Sequence, residues 1–108
     1  MTRIATFRDR VRGADPLVGT FLKTPHYHLV EVLAGSELDF LCLDAEHAPF
    51  DRAALDACLG MGRALDLPVM VRPADGSARE ILQALDCGEV GVVVPHVTDA
   101  GTAARAAR

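Results

Sequence analysis

The stretch Phe40 to Phe50, "FLCLDAEHAPF", runs four apolar residues straight into Asp44, Glu46 and His47 before turning at Pro49. Buried charge is costly unless it is paired or put to use, so three ionisable groups in four positions at the end of an apolar run suggest a site. An imidazole beside carboxylates can move protons near neutral pH. Farther along, "VMVRPADG" places Arg72 directly before Pro73. A guanidinium held at such a bend is suited to grip a carboxylate with its two-pronged donor set. Lys23 and His96 also follow apolar runs.

Each group also has a plainer role open to it. Asp44 and Glu46 can cap a following helix, Arg72 can pair with Asp44 or Asp75, and His47 or His96 can simply be solvated. His26 and His28 sit at i and i+2 of a helix start, where side chains diverge, so a shared metal is not expected. Lys23, the only lysine, is a second candidate as a Schiff-base nucleophile, provided its amine is desolvated.

These residues need elements to position them. Apolar spacing predicts an N-terminal helix over residues 2–12, stopped by Gly13 to Pro16. Four strand-helix units follow, spanning residues 17–35, 39–65, 69–87 and 91–108. Their strands are Leu17 to Leu22, Phe40 to Leu43, Val69 to Val71 and Val92 to Val94. Gly35 is expected to close the first unit's helix. Asp51 is placed to cap the next, whose apolar face is Leu55, Cys58, Leu59, Gly62 and Leu65. Ser77 and Glu80 form a capping box for a helix with Ile81, Leu82 and Leu85 as its apolar face, ended by Gly88. Thr98 is expected to cap a last helix still running at Arg108.

Strands apolar on both faces and alternating with helices imply an α/β fold with a parallel sheet covered by helices. Ligands of such sheets bind at the carboxyl ends of the strands, which is where Lys23, Asp44, Glu46, His47, Arg72 and His96 fall. Four separate strands therefore deliver polar groups to one edge.

Composition narrows the function classes. The 108 residues are half apolar, enough for one small domain, and carry a formal charge of −4 with no Lys/Arg run, which argues against nucleic-acid or membrane partners. Cys42, Cys58 and Cys87 are odd in number and lack C-x-x-C spacing, so neither a disulfide framework nor a zinc site is indicated. With no secretory h-region or membrane-length apolar run, a soluble cytoplasmic protein is expected.

The segments "GTFLKTPH" (19–26), "LDFLCLDAEHAP" (38–49), "VMVRPADG" (69–76) and "ILQALDCGEVGVVVPHV" (81–97) resemble the HpcH/HpaI family of class II, metal-dependent pyruvate aldolases, which cleave and form 4-hydroxy-2-oxo acids. The resemblance covers nearly the whole chain, and the D-x-E-H-x-P and V-R-P elements at this separation are its specific part. It implies a (β/α)8 TIM barrel with an extra N-terminal helix, of which this chain holds the first half. By resemblance, His47 is the acid/base acting on the substrate hydroxyl, and Asp86 pairs with it and orients it. Arg72 binds the 2-oxo acid and stabilises the enolate, while Asp44 and Glu46 support the shell of a metal ion and its water. The implied cofactor is a divalent ion (Mg2+, Mn2+ or Co2+) whose direct ligands come from strands beyond these residues. The implied substrates are a small 2-oxo acid and an aldehyde, and the complete protein is expected to form a homo-oligomer.

A whole barrel takes about 250 residues and eight strands. The chain is therefore expected to be a fragment, incomplete as a catalyst by itself, with bare outer strands as pairing hazards. A non-catalytic half-barrel that only binds or assembles, or a flavodoxin-like signalling domain, are the competing readings. Arg72, standing where a phosphoacceptor domain would place an aspartate, argues against the latter.

Overall fold

Parallel strands need a long crossover between them, and here each crossover is a helix. The computed structural model describes residues 2–107. Its elements run α1 (Arg3–Arg12), β1 (Gly19–Leu22), α2 (Tyr27–Ala34), β2 (Phe40–Asp44), α3 (Arg52–Ala64), β3 (Val69–Arg72), α4 (Ala78–Cys87), β4 (Gly91–Val92) and α5 (Ala100–Ala106). All three strand pairs are parallel and the spatial order is β1-β2-β3-β4. Strands following one another in chain order, with their helices on one face, are wound as in a barrel. A flavodoxin-like sheet reverses its strand order partway, and this one does not.

The period-two alternation of strands sorts the residues by face. Leu22, Leu41, Leu43, Val69 and Val71 meet Val30 of α2, Leu55, Cys58 and Leu59 of α3, and Ala84 and Cys87 of α4 in one buried core. The register sets Phe21 beside Cys42, Cys42 beside Met70, and Asp44 beside Arg72 on the opposite, inner face. Helix α1 covers the strand-start end of that face, with the buried Phe7 ring 5.7 Å from the Phe40 ring. Two aspartates in loops hold α1 there. Asp66 accepts hydrogen bonds from the backbone N–H groups of Arg3 (2.6 Å) and Ile4 (3.1 Å), satisfying free donors of the first helical turn. Asp39 accepts from Arg10 Nη2 and the Val18 N–H.

Local chemistry places most of the helix ends. The Asp51 carboxylate accepts from the Ala54 N–H and starts α3. Gly88 ends α4 at φ 86, a left-handed conformation that glycine adopts without penalty. Gly62, on the buried side of α3, lets the helix lie against β3; a Cβ there would stand 2.6 Å from Val69 Cγ2.

Several expectations need correction. Leu82 and Leu85 are 57% and 55% exposed, because α4 turns its small residues Ala84 and Cys87 to the sheet, where they allow close approach. Leu65 is also exposed, since α3 ends at Ala64 and the next residue leaves the helical period. Gly35 closes α2 in a right-handed conformation (φ −83), not as a left-handed cap. Strand β1 begins at Gly19 rather than Leu17, and β4 stops at Val92. Val93 still donates to the Val71 carbonyl, but Pro95 has no N–H with which to extend the ladder. Asp99, not Thr98, caps α5, accepting from the Thr102 N–H at 2.7 Å. That helix ends at Ala106, and Arg108 lies outside the described residues. The Ser77 hydroxyl accepts from the Glu80 N–H, while the return bond of the capping box comes from Asp75, which accepts from the Ser77 N–H.

Candidate active site

Asp44 is the last residue of β2 and is completely buried. Its Oδ1 accepts from the backbone N–H groups of Glu46 (3.1 Å) and His47 (3.0 Å), which folds the D-x-E-H segment into a tight turn. The capping role open to it in the sequence is thus spent on this turn, and Asp51 serves α3 instead. Arg72, its cross-strand neighbour, donates to the same carboxylate through Nε (3.2 Å, to Oδ1) and Nη2 (2.8 Å, to Oδ2). Such a two-pronged pair fixes the plane of the guanidinium. The Arg72 guanidinium carbon also lies 4.4 Å from the centre of the Phe21 ring, a cation–π contact from β1.

Burial alone pushes the Asp44 carboxyl pKa up. The Arg72 hydrogen bonds and charge, with the two backbone N–H groups, outweigh burial and hold the carboxyl below its ordinary value. The same bonds to Asp44 raise the Arg72 pKa against the opposing effect of its own burial. Asp44 and Arg72 are thus both charged across the physiological range.

Glu46 extends from the turn over Arg72, with only 8% of its side chain exposed. Its Oε1 is 2.8 Å from His47 Nε2 and 3.6 Å from Arg72 Nε, and its Oε2 is 2.6 Å from His96 Nε2. The His96 approach is close but poorly aligned for a hydrogen bond, and Oε2 is left buried without an aligned donor. Sequence reasoning placed His96 at this edge but gave it no partner; Glu46 is that partner. Phe21 was missed altogether, although its place one step along β1 from Gly19 on the inner face was a usable signal.

Two residues fall elsewhere. Asp86 does not pair with His47 in this chain. It is half-exposed on α4, with its carboxylate 4.0 Å from Arg52 Nη2. Helix α4 ends three residues before β4 begins, so its last turn lies toward the strand-start end of the sheet, away from the loop that carries His47. Lys23 is exposed just past β1 and lacks the desolvation that a Schiff-base amine requires. The cysteines are free and buried, and desolvation pushes the Cys42 thiol up to about 11, which leaves it inert as a nucleophile at neutral pH.

Among the described residues, no three His, Cys, Asp or Glu side chains converge closely enough to hold a metal ion. Asp44 already spends both oxygens on Arg72 and the turn, which leaves the Glu46 carboxylate, with its Oε2 buried and lacking an aligned donor, as the acid at this edge not so committed. This donor set does not fit a direct metal site by itself.

Four parallel strands in chain order, with an imidazole–carboxylate contact and a clamped guanidinium at their carboxyl ends, define a segment of a (β/α)8 barrel. The chain is 35% identical over 92 residues to a hydroxypyruvate/pyruvate aldolase of Deinococcus radiodurans, covering 85% of this chain and 33% of that protein. It is 30% identical over 100 residues to a 4-hydroxy-2-oxo-heptane-1,7-dioate aldolase of Salmonella dublin, covering 93% of this chain and 38% of that protein. The solved structure of an HpcH/HpaI aldolase/citrate lyase family protein from Burkholderia cenocepacia superposes with a TM-score of 0.88 at 30% identity, over 94% of this chain and 40% of that one. No protein-family model matches. The chain is related in sequence and fold to the HpcH/HpaI aldolases, and it spans between a third and two fifths of the length of these relatives.

Proposed function

We propose that this chain carries the acid/base and guanidinium part of an aldolase site, one that reversibly cleaves a 4-hydroxy-2-oxo acid to pyruvate, or a related 2-oxo acid, and an aldehyde. The reading rests on one observation: the Arg72 guanidinium, locked by Asp44 and Phe21, stands over the same Glu46 carboxylate that touches His47. The names of the Deinococcus and Salmonella relatives supply the substrate class, which we extend to this chain.

In the cleavage direction His47 removes the proton of the substrate hydroxyl. The bond between carbons 3 and 4 then breaks, the aldehyde departs, and the bonding electron pair passes to the 2-oxo group as an enolate. Arg72 sets a fixed positive charge where that oxyanion develops, and it needs no rearrangement to do so because Asp44 already orients it. Its Nη1 has no hydrogen-bond acceptor among the described residues and is left available to the substrate. Protonation of carbon 3 then yields the methyl group of pyruvate.

The divalent ion implied by the resemblance takes its ligands from outside these residues, and no step above runs through it. A cytoplasmic setting accords with three free thiols. Homo-oligomerisation is proposed for the complete protein, to be read from its mass in solution.

The test is exchange of the pyruvate methyl protons in D2O, followed by NMR, with the chain in Mg2+ or Mn2+ and an EDTA control. Exchange that EDTA removes and that Arg72→Ala slows about a hundredfold supports the assignment. Exchange that Arg72→Ala leaves unchanged overturns the role of Arg72, and a folded chain with no exchange under any of these conditions favours the fragment reading, in which catalysis belongs to a longer protein that supplies the metal ligands.

A further inference from the structure

The D-x-E-H turn brings one imidazole to the edge of the sheet, and the loop after β4 brings another. His96 follows Pro95 with φ 56, in the left-handed region. A side chain there is strained, although histidine enters that region more readily than most residues. The ring gains little burial in return, since 78% of the side chain is exposed. What it gains is proximity to Glu46 Oε2, at 2.6 Å.

Glu46 needs that neighbour. Its side chain is more than nine-tenths buried, and a buried carboxylate without partners is costly. Arg72 Nε at 3.6 Å is beyond direct hydrogen-bond reach and is already committed to Asp44. His47 stands at Oε1. Oε2 lacks an aligned donor, and the His96 ring nitrogen is the group in reach of becoming one. The ionisable groups facing the two imidazoles are Asp44 and Glu46 from the end of β2 and Arg72 from β3. Asp44 and Arg72 neutralise each other, which leaves Glu46 to the two rings.

We propose that His96 is a positioning residue. By donating from Nε2 to Glu46 Oε2 it holds the carboxylate so that Oε1 faces His47 Nε2. His47 is thereby fixed as the tautomer with its hydrogen on Nε2, and its Nδ1 lone pair is free to receive the substrate hydroxyl proton. This deepens the proposed function and rests on His47 as the acid/base of that reading.

The test uses the whole chain with 15N-labelled histidine, whose long-range 1H–15N spectra report the tautomer of each ring. His47 in the unaltered chain is expected as the Nε2–H form. In His96→Gly, which relieves the φ 56 strain while removing the ring, both His47 nitrogens are expected to shift toward the average of the two tautomers. In His96→Gln, which restores an N–H donor, they are expected to shift back. Circular dichroism checks that each variant is folded. A His47 spectrum that is the same in the unaltered chain and His96→Gly, or that lacks the Nε2–H form from the start, overturns the proposal. Where the chain exchanges pyruvate protons, His96→Gly lowers kcat about tenfold, the effect of one hydrogen bond to a charged group, at unchanged KM, and His96→Gln recovers it. Where the chain shows no exchange, catalysis falls to a longer protein that supplies the metal ligands, and the tautomer still decides the role of His96.

Discussion

Asp44 is the residue on which the arrangement at the strand ends depends. It closes the turn that presents Glu46 and His47, and it aims the guanidinium of Arg72. Asp44→Asn keeps the shape but removes the charge opposite Arg72, and breaking one side of a buried ion pair is more disruptive than never having had it. A fall in Tm of roughly 5–10 °C at neutral pH is expected for a domain of this size. The acid limb should change as well. The native Asp44 pKa is depressed, so the stability it contributes is present above the ordinary carboxyl value of about 3.9 and is lost only as pH falls through the lower native value. Thermal melts between pH 2 and 5 should show this loss in the unaltered chain and a flatter profile in Asp44→Asn. An equally steep acid limb in the variant would assign the acid sensitivity to other groups.

At the scale of elements, the contact of α3 with β3 sets how tightly the helical layer covers the sheet. Gly62 is the close point, where an added Cβ meets Val69 Cγ2 at 2.6 Å and the Leu67 carbonyl at 3.2 Å. Alanine would normally favour a helix interior over glycine. Here overpacking wins, and Gly62→Ala is expected to destabilise by about 1–3 kcal/mol in urea unfolding. Adding Val69→Ala should restore part of that loss, because the two side chains compete for one space. Additive losses in the double variant would place the strain at the Leu67 backbone instead.

Over the whole molecule, two carboxylates at opposite ends of the sheet, Asp44 fully buried and Glu89 half-buried, oppose each other in their response to pH. Asp44 lies at the carboxyl ends of the strands. Glu89 precedes β4 at the strand-start end, where its Oε2 is buried without a partner and desolvation raises its pKa. A raised acid favours the folded state fully below its unfolded value, and this contribution is lost as pH rises through the folded value. Glu89→Gln is therefore expected to raise Tm at pH 7 and to leave it nearly unchanged at pH 4. A lower Tm at pH 7 would mean that the charged carboxylate has a partner in solution. No helix among the described residues is long and apolar enough to cross a membrane.

The linear sequence determined the succession of elements and the residues at their ends. Apolar periodicity, Asp51, Ser77 and Gly88 are local signals, and each acts within a turn or two of its own position. It also determined that polar groups gather at the carboxyl ends of the strands, because the ends of the apolar runs can be read directly. Only the tertiary structure decided which partners those groups take. Asp44 meets Arg72 through the β2–β3 register, and Glu46 meets His96 across the width of β3, contacts 28 and 50 residues apart along the chain. Asp86, assigned to His47 by resemblance, faces Arg52 instead, and Leu82 and Leu85 turn outward. The physical reason is the same in each case: a side chain's partner depends on strand register and on the rotation of a helix about its axis, which are set by packing between elements distant in sequence.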